Sequence, residues 1–237
     1  TPAAAVGKPH LRAVVPHGVD CDLWHPAEDR AAAWAATGFP GRRGIACVGR
    51  IRPAKGTDRF VETMLRVLPV YQDVTALIVG RTRPADTGFL AGLKAQVRAA
   101  GLADRVVFTG EIAPESMPGL IRACSLLVPL PRAENYGMTP LEGMASGVPF
   151  VGSDAGAFRT FSADGDAGIV VGGGDVVEAV SANLDRLLAD SDRLDAMSRA
   201  ARARAATHHS VQGEAAGIAE VYEALWEDGS ARDLSAS

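Results

Sequence analysis

From Ile45 onward, short apolar runs rich in β-branched residues alternate with segments whose apolar residues recur every three or four positions. That alternation admits few folds other than a parallel sheet wound with helices. Strands are predicted at 45–49, 74–80, 105–110, 125–130, 148–152 and 168–171. Most of these runs are almost continuously apolar, as strands covered on both faces must be. Helices are predicted at 57–68, 88–100, 114–123 and 140–146, with three more between 175 and 226. In the first of them Phe60, Val61, Met64, Leu65 and Leu68 form one stripe, Thr57 is the expected N-cap and Pro69 the stop. The predicted fold class is α/β: a doubly wound, Rossmann-like parallel sheet whose ligands sit in the crevice at the carboxyl ends of its strands.

Composition narrows the function. The 237 residues are 47% apolar and 22% charged, enough for a large core and too apolar for a disordered chain. A net charge of -4 without a long Lys/Arg run gives no electrostatic case for a nucleic-acid partner. Cys21, Cys47 and Cys124 are scattered and form no C-x-x-C pair, which suits a reducing compartment. No apolar stretch approaches the roughly 18 residues that span a bilayer, and the opening residues lack the pattern of an export signal. A cytoplasmic location is therefore expected. Arg199, Arg202 and Arg204 are a candidate patch for peripheral contact with the inner membrane face, against the simpler reading of a solvated helix face.

Three segments are expected. Residues 1–44, rich in Pro, Gly and Ala, read as a linker with one strand-like run at 11–16; 45–228 form the α/β domain; 229–237 form a polar, flexible tail.

Every motif falls at a predicted strand end. The stretch Pro131-Arg132-Ala133-Glu134-Asn135-Tyr136-Gly137-Met138-Thr139-Pro140-Leu141-Glu142 sets two carboxylates, Glu134 and Glu142, with seven residues between them, across a loop and a helix start. Thr139 as N-cap and Pro140 at the first helical position would leave N–H groups free to hold a phosphate. Glu142 three residues after Thr139 also fits a capping box, in which it would only bind backbone. Arg50 and Lys55, in Gly49-Arg50-Ile51-Arg52-Pro53-Ala54-Lys55, are expected to converge on one anion, with Arg52 solvated. Gly80-Arg81 and Gly110-Glu111-Ile112 end the second and third strands, where they either line a base pocket or make ordinary turns. Asp20-Cys21-Asp22 has a metal-binding form but reads as a turn, and His208-His209 as a surface pair. No metal or cofactor is expected. The phosphate-binding signatures of P-loop and dinucleotide folds are absent.

The E-x7-E spacing, with the continuation Pro140-Leu141-Glu142-Gly143-Met144-Ala145-Ser146-Gly147-Val148-Pro149, resembles the group 1 family of retaining GT-B glycosyltransferases. So does Pro16-His17-Gly18-Val19-Asp20, where the family usually carries Asn at the His17 position. Gly49 to Asp58 and Leu141 to Phe158 look most like bacterial lipopolysaccharide-core mannosyltransferases.

The resemblance implies the carboxyl-terminal, donor-binding half of such an enzyme, moving a sugar from a nucleoside diphosphate, GDP-mannose by preference, to a glycan or lipid acceptor. It implies that Glu134 contacts the sugar and Glu142 the ribose, and that Arg50 and Lys55 meet the diphosphate. Gly49, Asn135, Tyr136, Gly137, Met138, Thr139, Leu141, Gly80, Arg81 and Ile112 complete the expected donor site. An amino-terminal acceptor domain is expected from a longer protein or a partner. A non-catalytic nucleotide-sugar sensor, an epimerase, and a hydrolase using Glu134 and Glu142 as acid and base stand as alternatives.

Overall fold

The computed structural model describes residues 13–230. In chain order the elements are α1 (Arg30–Ala36), β1 (Arg43–Val48), α2 (Thr57–Val67), β2 (Val74–Val79), α3 (Thr87–Ala99), β3 (Val106–Gly110), α4 (Met117–Ala123), β4 (Leu126–Leu127) and α5 (Met138–Ala145). They continue with β5 (Phe150–Ser153), α6 (Phe158–Ser162), β6 (Gly168–Val171), α7 (Val176–Ala189), α8 (Ser191–His208) and α9 (Val211–Ser230). The six strands pair in parallel in the order β3-β2-β1-β4-β5-β6. Strand order reverses between β1 and β4, and the crevice at such a switch point is where doubly wound sheets bind ligands.

Successive side chains of a strand point to opposite faces, so each strand feeds two cores. Ile45 and Cys47 of β1 join Phe60, Val61 and Met64 of α2 and Val180 and Leu184 of α7 on one face. Ala46 joins Trp34 of α1, Ile121 of α4 and Leu141 and Met144 of α5 on the other. The predicted α2 stripe holds: Phe60, Val61, Met64 and Leu68 are fully buried and Leu65 packs against them. Each such side chain contributes roughly 1.5–3 kcal/mol.

Several expected boundaries move, each for a local reason. Gly56 rather than Thr57 caps α2, because the chain passes so close to the loop after β4 that a Cβ at residue 56 would lie 1.7 Å from the Leu130 carbonyl oxygen. Thr57 becomes the first helical residue and is buried. β4 is only two residues long and β5 starts at Phe150, because Pro129, Pro131 and Pro149 have no N–H to give a ladder.

The segment read as a linker contains helix α1, whose Trp34 is 1% exposed in the core. Its alanine-rich sequence carries a single large apolar residue, too little to show helical periodicity. Of the predicted strand at 11–16, residues 13–16 form no strand and the first two lie outside the described residues. Helix α9 runs through Ser230, so the expected tail begins as helix, and 231–237 lie outside the described residues. Among the described residues no helix is long and apolar enough to cross a membrane.

Candidate functional site

Two adjoining cavities open at the carboxyl ends of the strands and share Val48 and Gly49 at the end of β1. The first, of about 300 Å³, lies at the switch point. It is walled by Lys55 and by the loop from Glu134 through Pro140, with Asn135, Tyr136, Gly137, Met138 and Thr139 all on its surface. The second, of about 360 Å³, is walled by Arg50, Gly80, Arg81, Glu111, Ile112 and Met117. Nearly every residue expected at the donor site thus reaches one cavity or the other. Arg50 and Lys55 do not converge in a single cavity; they stand on the walls of neighbouring ones.

In the first cavity Lys55 Nζ donates to Glu134 Oε2 at 2.7 Å, and the backbone N–H of Asn135 donates to the other carboxylate oxygen at 3.0 Å. Glu134 is therefore oriented rather than solvated, with its side chain 19% exposed. An ion pair this close to water is worth on the order of 1 kcal/mol, so an incoming anion can take Lys55 at small cost. The loop is clamped from beneath: Arg132 forks onto both carboxylate oxygens of Asp58, at 2.8 and 2.6 Å, and reaches the Pro53 carbonyl. The Asp58 carboxyl is held below its ordinary range by that guanidinium, against the opposing effect of its own burial.

The start of α5 differs in register from the sequence reading. Gly137, at φ 108, is the N-cap, Met138 the first helical residue, and Pro140 the third. A Cβ at Gly137 would stand 2.3 Å from the Phe158 ring, so only glycine lets the loop close onto α6. The free N–H groups are those of Gly137, Met138 and Thr139. Leu141, expected at the donor site, is wholly buried one turn into the helix.

No side-chain cap is formed, so the Thr139–Glu142 capping box is not made. Glu142 is half-buried, its carboxyl raised by burial alone, and it lines neither cavity in this structure. The two glutamates thus do not share a cavity wall.

Some features find other roles. Asp20 accepts from the N–H groups of Asp22 and Leu23, which makes Asp20-Cys21-Asp22 the expected turn. Among the described residues no group of three His, Cys, Asp or Glu side chains is placed to hold a metal. Arg202 donates to the carbonyls of Cys21, Trp24 and Ala145, and Arg204 to that of Thr160, leaving Arg199 as the exposed member of the proposed membrane patch. Arg52 is half-buried, and its Nε lies out of water with no partner among the described residues. His209 is not on the surface: it is 3% exposed against Phe161, with a pKa lowered to about 4 mainly by burial.

Sequence reasoning missed one contact altogether. Glu214 of α9 accepts from the Gly18 N–H at 2.8 Å and pairs with His17 Nδ1 at 3.0 Å, while the Tyr136 hydroxyl donates to the His17 carbonyl. A pairing across some two hundred residues has no local signal that could have revealed it.

Among known proteins, the family described as Glycosyl transferases group 1 matches residues 33–204. The lipopolysaccharide core biosynthesis mannosyltransferase LpsB of Rhizobium meliloti (strain 1021) is 38% identical over 218 residues, covering 90% of this chain. LpcC of Rhizobium leguminosarum bv. viciae, of the same description, is 39% identical over 220 residues, covering 93%. The chain spans only 60% and 61% of the lengths of those two proteins. Of solved structures, the C-terminal domain of a group 1 family glycosyl transferase (LpcC) from Francisella tularensis matches with a TM-score of 0.75 at 29% identity, over 82% of this chain and 100% of that one. Anabaena Alr3699/HepE in complex with UDP shares the fold, with a TM-score of 0.78 at 24% identity over 87% of this chain and 56% of its own. With its parallel sheet, its switch-point cavity and these relatives, the chain belongs to the group 1 glycosyltransferase family and has the fold of the carboxyl-terminal half of a GT-B enzyme.

Proposed function

We propose that this domain is the donor-binding half of a glycosyltransferase. It moves a sugar, mannose by analogy with the relatives' names, from a nucleoside diphosphate to a glycan or lipid-linked acceptor, as in lipopolysaccharide core synthesis. The observation that carries this reading is the first cavity, where Lys55 and Glu134 meet at 2.7 Å beside the unpaired amides that begin α5.

The chemistry follows from the charges. Displacing a nucleoside diphosphate from the anomeric carbon builds negative charge on the leaving phosphate. Lys55 and the amides of Gly137, Met138 and Thr139 are pre-arranged to take that charge, with Arg50 approaching from the neighbouring cavity. The reading takes no metal. Glu134, released from Lys55 by the incoming phosphate, is left to orient the sugar. Glu142, whose carboxyl burial raises, is the residue that the family resemblance assigns to the ribose hydroxyls. Retention is what the family resemblance implies, by same-face attack in which the leaving phosphate accepts the acceptor's proton.

An acceptor domain from a longer chain or a partner belongs to this reading. The apolar face that α9 leaves open at Ile218, Tyr222, Leu225 and Trp226 supports it, as does the greater length of the relatives.

Isothermal titration of this chain with GDP and UDP, repeated on Lys55→Ala, tests the donor site. A loss of about tenfold or more in diphosphate affinity is expected on removing this charge-assisted contact. Unchanged affinity would exclude Lys55 from phosphate binding. In the complete enzyme, Glu134→Ala is expected to lower kcat by about a hundredfold while nucleotide affinity changes little. Equal loss of both would reject its role at the sugar.

A further inference from the structure

A third cavity, of about 370 Å³, lies away from the two at the donor site. Its walls include α1, α8 and the turn at Gly147 that leads into β5, so it sits beside the amino end of that strand, whereas the donor cavities open at carboxyl ends. Three guanidinium groups line it, Arg30 from α1 and Arg199 and Arg202 from α8, against the single carboxylate of Asp195. Among the described residues no ion pair involves any of the four.

Two of these cations are fixed in place. Arg30, half-buried, donates to the Ser198 hydroxyl at 3.2 Å and to the Gly147 carbonyl at 2.6 Å, and its Nε lies out of water with no partner among the described residues. Arg202, also half-buried, is held by the carbonyls of Cys21, Trp24 and Ala145. A carbonyl satisfies an N–H group without cancelling a unit charge, and the carboxyl end of α5 offers about half a negative charge at most. Burial pushes the Arg30 guanidinium below its ordinary pKa, and the Asp195 charge opposes this only in part. Three cations and one carboxylate therefore leave the cavity side chains with two positive charges to spare. Charge held out of water in this way is costly until an anion joins it. Arg199 is exposed, so its fork is able to swing onto an anion that enters.

The surplus charge and the forked donors select the chemistry of the occupant. A phosphoryl group carries up to two negative charges and turns several oxygens toward planar guanidinium forks, whereas a carboxylate brings one charge and two oxygens. We propose that this cavity is a phosphoryl-binding site in which Arg30 and Arg199 donate to the phosphate oxygens and Arg202 adds its charge. The phosphate comes either free from solution or as the headgroup of an anionic lipid. The assignment does not depend on the donor-binding reading, because none of these residues lines the donor cavities.

The test is isothermal titration with inorganic phosphate, against chloride at matched ionic strength, in a Lys55→Ala background so that phosphate at the donor cavity does not count. Saturable binding with a Kd on the order of 1 mM or tighter is expected. Adding Arg199→Ala should weaken it about tenfold, and adding Asp195→Asn, which removes the opposing carboxylate, should tighten it about threefold. The two variants shift affinity in opposite directions, which loss of fold would not do, and both side chains are exposed, so circular dichroism melts should be unchanged. Sedimentation of the unsubstituted chain with phosphatidic acid vesicles but not with phosphatidylcholine vesicles, lost in Arg199→Ala, would make a lipid headgroup the source. Phosphate binding without that dependence would make the source free phosphate. Absence of saturable phosphate binding, or an affinity that either added substitution leaves unmoved, would overturn the assignment.

Discussion

At the scale of single residues, His209 shows how far burial can carry a side chain from its expected character. Two adjacent histidines near a helix end read as a surface pair, but the chain turns there so that His208 stays exposed while His209 packs against Phe161. Neither ring nitrogen of His209 has a partner among the described residues. The folded chain therefore protonates it only near pH 4, against a reference value of 6.5. Between those two values the unfolded state binds more protons, so stability falls as pH drops from about 6.5 to 4 and this contribution levels off below. The effect amounts to about 3 kcal/mol at most. Urea melts across that range should show His209→Leu losing less stability on acidification than the parent chain; parallel curves would remove His209 as the cause.

Elements show the same division between local signal and remote constraint. The α2 stripe was legible because its periodicity is repeated within one helix, and truncating it at Met64→Ala should cost about 2–5 kcal/mol in chemical denaturation. A cost below 1 kcal/mol would mean that the site collapses around the missing atoms. The loop from Glu134 to Gly137 is positioned differently, by Arg132 reaching across to Asp58 and Pro53. That clamp joins the two segments that carry Glu134 and Lys55, and nothing in either segment announces it. Arg132→Ala should weaken nucleoside diphosphate binding by about threefold to tenfold with little change in melting temperature, because an ion pair this open to water contributes about 1 kcal/mol or less to stability. Intact affinity would mean the loop holds its shape without the clamp.

For the whole molecule, the amino-terminal segment and α9 are tied to each other next to the donor cavity. Val19 and Ser210 form a parallel bridge, the Val19 N–H donates to the His209 carbonyl at 2.7 Å, and Glu214 holds the Gly18 N–H and His17. Tyr136, on the cavity wall, bonds to the same segment. Hydrogen exchange at Gly18 and Val19 should accelerate in Glu214→Ala, and extend to Tyr136 if the tie steadies the donor loop. Exchange confined to Gly18 would limit Glu214 to a local cap. The carboxyl of Glu214 is held below its ordinary range, chiefly by the Gly18 N–H, so this tie should be present at neutral pH and lost as pH falls through that lowered value.

The sequence by itself determined the α/β class, the strand series, the core stripe of α2 and the residue types at the strand ends. Periodicity, turn residues and motif spacing are local properties that survive in one dimension. Tertiary structure alone decided that Gly137 rather than Thr139 caps α5, through the Phe158 ring, and that Trp34 draws α1 into the core. It also decided that Glu134 pairs with Lys55 while Arg50 stands on the wall of the neighbouring cavity. Those outcomes turn on which remote atoms come within a few ångströms, and close packing sets that only once the sheet and its helices have assembled.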